Sequence, residues 1–446
     1  MTNLNWTPWH KVVSLRPDLK SGELSLNIFA ADLYDVCMQR GARPAYEDPA
    51  EFFALTYPTY NLRQLARDVV LRLAGKNDKA VRQLALTYGG GKTHTLITLF
   101  HLVNDPERLP RQLPAVQEFL NEISIPLPKA RIVSLTFDKL DIGKGMEVRA
   151  PVGGTTRWLK QPWSVLAYQL AGPDGLRLLQ ADNLAEERSS PPAENLLVDL
   201  LRIPTHQGLS VLILMDEVLM FARRAVDFDP AWQERLKDFF QYLTQAVSHV
   251  DQACLVASLL ATETSMSDAI GKSISRDLEL IFTRQQEESI QPVVKEDVAE
   301  VLRRRLCTPE SIKDREAFRP YVVAALKGIE TLDPQTQHEG KAAEERFLRS
   351  YPFHPDLTEV LYAKWTNLEG FQKTRGMLRT FAMALREAEK WDTAPLVSAN
   401  VFLCEPGKAG ISEATRELAQ IATAEEYEGK TAQWSTILQS ELEKNA

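Results

Sequence analysis

The chain has 446 residues, 44% hydrophobic and 25% charged, with a formal net charge of −8. That length allows two or three domains around a large core, and no apolar run approaches the ~20 residues of a membrane span, so no membrane-embedded role is expected. The acidic balance argues against a protein that coats nucleic acid by bulk charge, though it leaves room for a local basic groove.

The start, Met1-Thr-Asn-Leu-Asn-Trp6, lacks the basic and apolar blocks of a signal peptide, which makes a cytoplasmic location the expectation. Four cysteines, Cys37, Cys254, Cys307 and Cys404, stand far apart with no C-x-x-C pair, so neither a zinc ribbon nor a disulfide frame is supported.

Residues 1–78 precede the first core strand and are expected as a helical segment packing on the core. Apolar residues recur at helical spacing over 30–38 and 62–73, with Asn61 as the expected N-cap of the second helix and Gly75 as its stop. Aromatics in Asp48-Pro-Ala-Glu-Phe-Phe53 and Thr56-Tyr-Pro-Thr59 fit either packing or contact with an adenine ring.

Residues 79–294 have the spacing of a P-loop core. A short alternating run, Val81 to Leu86, leads into Tyr88-Gly-Gly-Gly-Lys-Thr-His94 and then a helical stretch to Val103. Gly89, Gly90 and Gly91 let backbone N–H groups turn inward around an anion, and the following helix adds the positive end of its dipole. Lys92 is placed for the β- and γ-phosphates, and the Thr93 hydroxyl for Mg²⁺. The full pattern asks for glycine where Leu86 stands, so the loop is degenerate at its first position. His94 belongs to the same nucleotide-binding stretch. With His101 it could share one helix face, where packing explains the pair better than metal.

After a proline-bearing connection and a short helix, Arg131–Phe137 reads as a strand. An insertion spans 138–208; its first part sets Arg149, Arg157, Trp158, Lys160 and Trp163 among glycines. Such a loop can track a nucleic acid backbone and stack on bases, or be an ordinary surface hairpin. Val211-Leu-Ile-Leu-Met-Asp-Glu217 is a continuous apolar run typical of a strand buried on both faces, ending in two acids. Ligands bind at the carboxyl ends of parallel strands, where Asp216 can hold Mg²⁺ through water and Glu217 can deprotonate an attacking water.

A helix over 231–250 precedes another buried strand, 253–260, whose terminal Thr262 or Ser258 could sense a γ-phosphate if this strand lies beside the acidic one. Glu288–Val294 reads as a last strand. Just before it, Arg284, with Arg276 in reserve, could project toward a neighbouring subunit's nucleotide in a homo-oligomer. Residues 295–392 are read as a helical lid, with a polar linker at 333–341. Arg375 is placed to reach the nucleotide, and Arg379 lies one turn later. Residues 393–446 form a helical extension ending in an amphipathic stretch from Trp434, expected to pack on a partner or on further chain.

Together these elements predict an α/β P-loop NTPase core, a parallel sheet flanked by helices, with a C-terminal helical lid. Asp138-Lys-Leu-Asp141, Tyr88–His94, Leu214-Met-Asp-Glu217, Tyr351-Pro-Phe-His-Pro355 and Thr374-Arg-Gly-Met-Leu-Arg379 resemble a family of AAA-type ATPases whose domain has no assigned function. Its genes lie beside adenine-specific DNA methyltransferases and helicases in prokaryotic anti-phage clusters. The resemblance runs from about Val12 to Phe402. It implies Lys92 and Thr93 as Walker A, Asp216 and Glu217 as Walker B, Arg375 as a second sensor, ATP and Mg²⁺ as ligands, and DNA, methyltransferase or helicase partners. Family members tend to be longer than this chain, which reads Ala446 as a truncated end. The expected function is Mg-dependent ATP hydrolysis in DNA modification or anti-phage defence. The alternative is a scaffold that holds ATP with little turnover and docks partner proteins.

Overall fold

The structure, a computed structural model, describes residues 6–22, 24, 26–41, 43–84, 91–180, 182, 184–258, 269–283, 290–364, 373–408, 411–423, 426–427 and 430–431. Six strands carry the core: β1 (Val81–Leu84), β2 (Ala130–Thr136), β3 (Met146–Arg149), β4 (Thr156–Leu159), β5 (Ser210–Asp216) and β6 (Ala253–Ser258). β1, β2, β5 and β6 form one parallel sheet in the order β1-β6-β5-β2, and β3 pairs antiparallel with β4 as a separate hairpin.

Alternation along each strand divides the core. Val211, Ile213 and Met215 of β5, with Ala253, Leu255 and Ala257 of β6, pack under the helices Pro162–Ala171, Glu194–His206, Val218–Phe228, Trp232–Ser248 and Ala269–Thr283. Leu212 and Leu214, with Cys254 and Val256, face the helices Tyr60–Leu73, Lys92–Asn104 and Pro114–Ile123. Every residue of β5 is buried. A strand covered on both faces has no need of polar alternation, which is why its sequence is a single apolar run. Truncating Leu212 to alanine there would cost about 2–5 kcal/mol.

A third apolar core is helical and lies outside the sheet. It joins Trp9, Val13, Leu15, Leu19, Leu24 and Phe29 to residues of the helices Val298–Leu306, Arg319–Ile329, Lys341–Ser350 and Lys373–Ala388. Trp9 fixes the join, with its indole Nε1 donating to Asp392 Oδ2 at 2.9 Å and its backbone N–H to Ala394 O at 3.0 Å. The residues expected as one N-terminal segment therefore divide between two cores: 9–29 pack with the C-terminal helices, while Leu33, Val36, Tyr46, Phe52, Phe53 and the helix Tyr60–Leu73 cover the sheet.

Several local expectations are corrected. The N-cap of Tyr60–Leu73 is Thr59, whose hydroxyl accepts from Leu62 N at 3.1 Å; Asn61 instead donates to Gln291 O at 2.8 Å. The expected last strand is represented, among the described residues, by one parallel bridge from Ile290 to Leu84 beside β1. The polar stretch 333–341 contains a helix, Pro334–Glu339, because Asp333 caps it with bonds from Gln335 N and Thr336 N. Phe52 and Phe53 are fully buried, which removes them as adenine contacts. Among the helices that the sequence reading does not include are Pro173–Leu178, Glu194–His206, Val218–Phe228 and Ala269–Thr283. The stretch from Trp434 lies outside the described residues. No helix among the described residues is long and apolar enough to cross a membrane.

Candidate functional site

All four parallel strands end at one edge of the sheet. Leu84 pairs with Ser258, Thr136 pairs with Asp216, and Ala257 pairs with Met215, so Ser258 and Thr136 end the strands on either side of Asp216. The chain leaves β1 through residues 85–90 and re-enters at Gly91, which caps the helix Lys92–Asn104 with φ +69°. That left-handed turn suits glycine and aims the first N–H groups of the helix at the sheet edge. Gly89 and Gly90 lie outside the described residues.

The acid pair comes to the same edge by a different turn. Glu217 has φ +57°, an uncommon conformation for a residue with a Cβ, and caps the helix Val218–Phe228. Such a geometry costs about 1–2 kcal/mol and recurs where a side chain is held for function. Its effect is to end β5 abruptly, leaving Asp216 at the strand's last position and Glu217 at the turn.

The two segments meet. Thr93 Oγ1 donates to Asp216 Oδ2 at 2.8 Å, and Lys92 Nζ stands 3.6 Å from Glu217 Oε1. Asp216 is 4% exposed, and its carboxyl is pushed up to about 6. Burial is the largest cause, followed by the Glu217 carboxylate; the Thr93 hydrogen bond and the Lys92 ammonium pull the other way, and Asp138 adds to the rise. An acid crowded by two neighbours and one lysine is a site short of positive charge.

Two hydroxyls that flank Asp216 are also short of partners. Thr136 Oγ1 and Ser258 Oγ are buried without a hydrogen bond among the described residues. Buried hydroxyls are usually satisfied, so two at one sheet edge mark a place where a further polar group belongs. The sequence offers Ser258 as a candidate but not Thr136, because nothing in Arg131–Phe137 announces that this strand will lie beside the acid.

His94, expected among the nucleotide-binding residues, stacks its ring on Phe52 at 4.5 Å between centroids, and its Nε2 sits 3.0 Å from Thr56 Oγ1. Burial, helped by the Arg305 guanidinium, drives its pKa down to about 3, so it is a neutral packing group. His101 bonds Tyr46 O at 2.8 Å and contacts the same Phe52. Arg379 is engaged inside the helical unit by Glu417 and by Leu24 O. Arg276 is exposed on the helix Ala269–Thr283. Thr262, Arg284 and the side chain of Arg375 lie outside what is described.

Among the described residues, no group of three or more His, Cys, Asp or Glu could hold a metal ion by itself.

Fold and site together define a mixed α/β protein with a parallel four-stranded sheet flanked by helices and a polar constellation at the sheet's carboxyl edge. A family model described as the DUF499 N-terminal domain matches residues 11–285, and one described as the DUF499 second domain matches residues 293–397. The chain belongs to the DUF499 family. No curated protein and no solved structure matches it.

Proposed function

We propose that the chain binds Mg-ATP at the edge built by Gly91, Lys92, Thr93, Asp216 and Glu217, and hydrolyses it. The observation that carries this reading is the meeting of Thr93 with Asp216 and of Lys92 with Glu217, from segments far apart in the chain. A hydroxyl paired to a buried carboxylate is an oxygen donor set suited to a hard cation, and the orphaned Thr136 and Ser258 hydroxyls leave room for its water or for a phosphate oxygen. Thr93, and Asp216 through water, would hold Mg²⁺, which would neutralise charge on the phosphates.

The residues divide the work. Lys92 leaves Glu217 to neutralise the β- and γ-phosphates, and the helix N-terminus at Gly91 adds its dipole. Freed of the lysine, Glu217 orients a water and takes its proton as the water oxygen attacks the γ-phosphorus. The bond to the β–γ bridging oxygen breaks and ADP departs. General-base assistance of this kind contributes about 10²–10⁴ in rate.

The finer parts of the reading go beyond the geometry: residues 295–392 as a lid and Arg284 acting across a homo-oligomer rest on their sequence positions, while the AAA type, Arg375 as a second sensor, and a place in DNA modification or anti-phage defence beside methyltransferases and helicases rest on the resemblance. The resting Lys92–Glu217 pair favours a second reading, in which ATP is held with little turnover and partners dock on the helical half. A turnover assay with and without DNA, across protein concentrations, separates the two. Turnover that vanishes in Glu217→Gln supports hydrolysis; binding without turnover in the wild type supports the scaffold.

A further inference from the structure

We propose that the outward face of the β3–β4 hairpin is a contact surface for single-stranded nucleic acid. It gives a surface to the nucleic-acid part of the proposed function, but does not depend on ATP binding or turnover.

The hairpin's alternation sorts its residues. Met146, Val148 and Leu159 are buried, so Glu147, Arg149, Thr156 and Trp158 project from the opposite face. Trp158 is 49% exposed, and Lys144 Nζ lies 4.1 Å from its ring centroid. An indole left half in water is not serving the core; with the Lys144 ammonium over its ring it forms a surface cation–π pair that a stacked base would displace or join. Arg149 and Lys160 are exposed, and Glu147, the acid on that face, is bound by Arg40 at 2.6 Å. Arg157, from the other face, is tied to Glu186 and Ala185 O. Arg40, Lys144, Arg149 and Lys160 thus gather about the outward face, where the nearby carboxylates are engaged: Glu147 by Arg40, Asp141 by the backbone N–H groups of Gly143 and Lys144, and Glu187 by those of Lys160 and Gln161.

Cations that track phosphates, set around an aromatic ring, are the means by which proteins hold unpaired strands. Duplex DNA offers the same phosphates but keeps its base faces stacked on one another, and an acidic peptide offers carboxylates with nothing to stack. The tryptophan therefore selects the single strand. The hairpin also springs from the sheet edge of the candidate site: only Phe137 to Gly145 separate β2 from β3, with Asp141 bridged to Gly145.

The test is fluorescence anisotropy of a labelled oligothymidylate with the full chain and no nucleotide, with a duplex of equal length and a polyglutamate peptide as competing probes. The wild type is expected to prefer the oligothymidylate. Trp158→Ala should weaken binding roughly tenfold while Trp158→Phe keeps it, since the stacking of one base is the difference between them. Replacing Lys144, Arg149 and Lys160 with glutamine should flatten the salt dependence by about two units, near 0.7 for each phosphate left without its cation. Lys92→Ala should bind as the wild type does, even if it no longer binds ATP. The proposal is overturned if the wild type ignores the oligothymidylate at low salt, if Trp158→Ala binds it unchanged, or if duplex or polyglutamate competes equally well.

Discussion

Lys92 Nζ faces Glu217 Oε1 at 3.6 Å across the carboxyl edge of the sheet, with both side chains largely shielded from water. The pair satisfies two charges that a triphosphate would divide, since the anion attracts the lysine and repels the carboxylate. Glu217→Gln should therefore bind Mg-ATP at least as tightly as the wild type while turnover falls about 10²–10⁴-fold. Equilibrium binding and single-turnover kinetics on the same protein check both halves.

Asp216 gives the site a pH dependence whose sign can be worked out. Its carboxyl titrates near 6 in the fold, above its ordinary value, so protons and Mg²⁺ compete for it on the acid side of neutrality. Mg-dependent nucleotide binding should fall as pH drops through about 6. Thr93→Ala removes a hydrogen bond that stabilises the carboxylate, so in that variant the acid limb should move to higher pH. A raised carboxyl also lowers stability above its folded pKa and not below its unfolded one. Asp216→Asn should accordingly raise the melting temperature above about pH 6, with the gain fading toward about pH 4.

The two helix histidines work in the opposite sense. Burial brings His94 down to about 3 and His101 to about 4, so both are neutral in the fold and gain protons mainly on unfolding. The stability they confer is complete above the ordinary histidine value and is lost as pH falls from there toward 4 and 3. Urea unfolding as a function of pH should show this slope, and His94→Gln should flatten it without touching the nucleotide edge.

Gly175 tests the packing on the other side of the sheet. A Cβ built there would stand 2.1 Å from Ala167 O, so the helix Pro173–Leu178 can approach Pro162–Ala171 only with glycine at this point. Gly175→Ala should cost about 1–3 kcal/mol, seen as a lower denaturation midpoint with an unchanged slope.

What could be read in the sequence follows from which interactions are local. β5 was legible because burial on both faces writes itself as an uninterrupted apolar run, and the turn after it because Asp216 and Glu217 follow at once. The glycine–lysine–threonine stretch carries its chemistry in adjacent residues. By contrast, the helix Glu194–His206 was hidden by Pro204 in its last turn, and Val218–Phe228 by a start with no capping side chain. The helix starts at Tyr60, so Thr59 holds the cap and accepts from Leu62 N, while Asn61 falls in the first turn and bonds Gln291 O across the fold. Strand neighbours and the attachment of Trp9 to Asp392 are likewise set by distant pairing, so neither Thr136 nor the divided N-terminal segment could be read from nearby residues.

Calorimetric titration of Mg-ATP into the wild type and Lys92→Ala tests most directly whether the glycine loop and the acid pair serve one triphosphate. The account predicts saturable Mg-dependent binding by the wild type that Lys92→Ala abolishes or weakens severely while its thermal stability is retained. Equal binding by the two proteins, or none by the wild type, would contradict it.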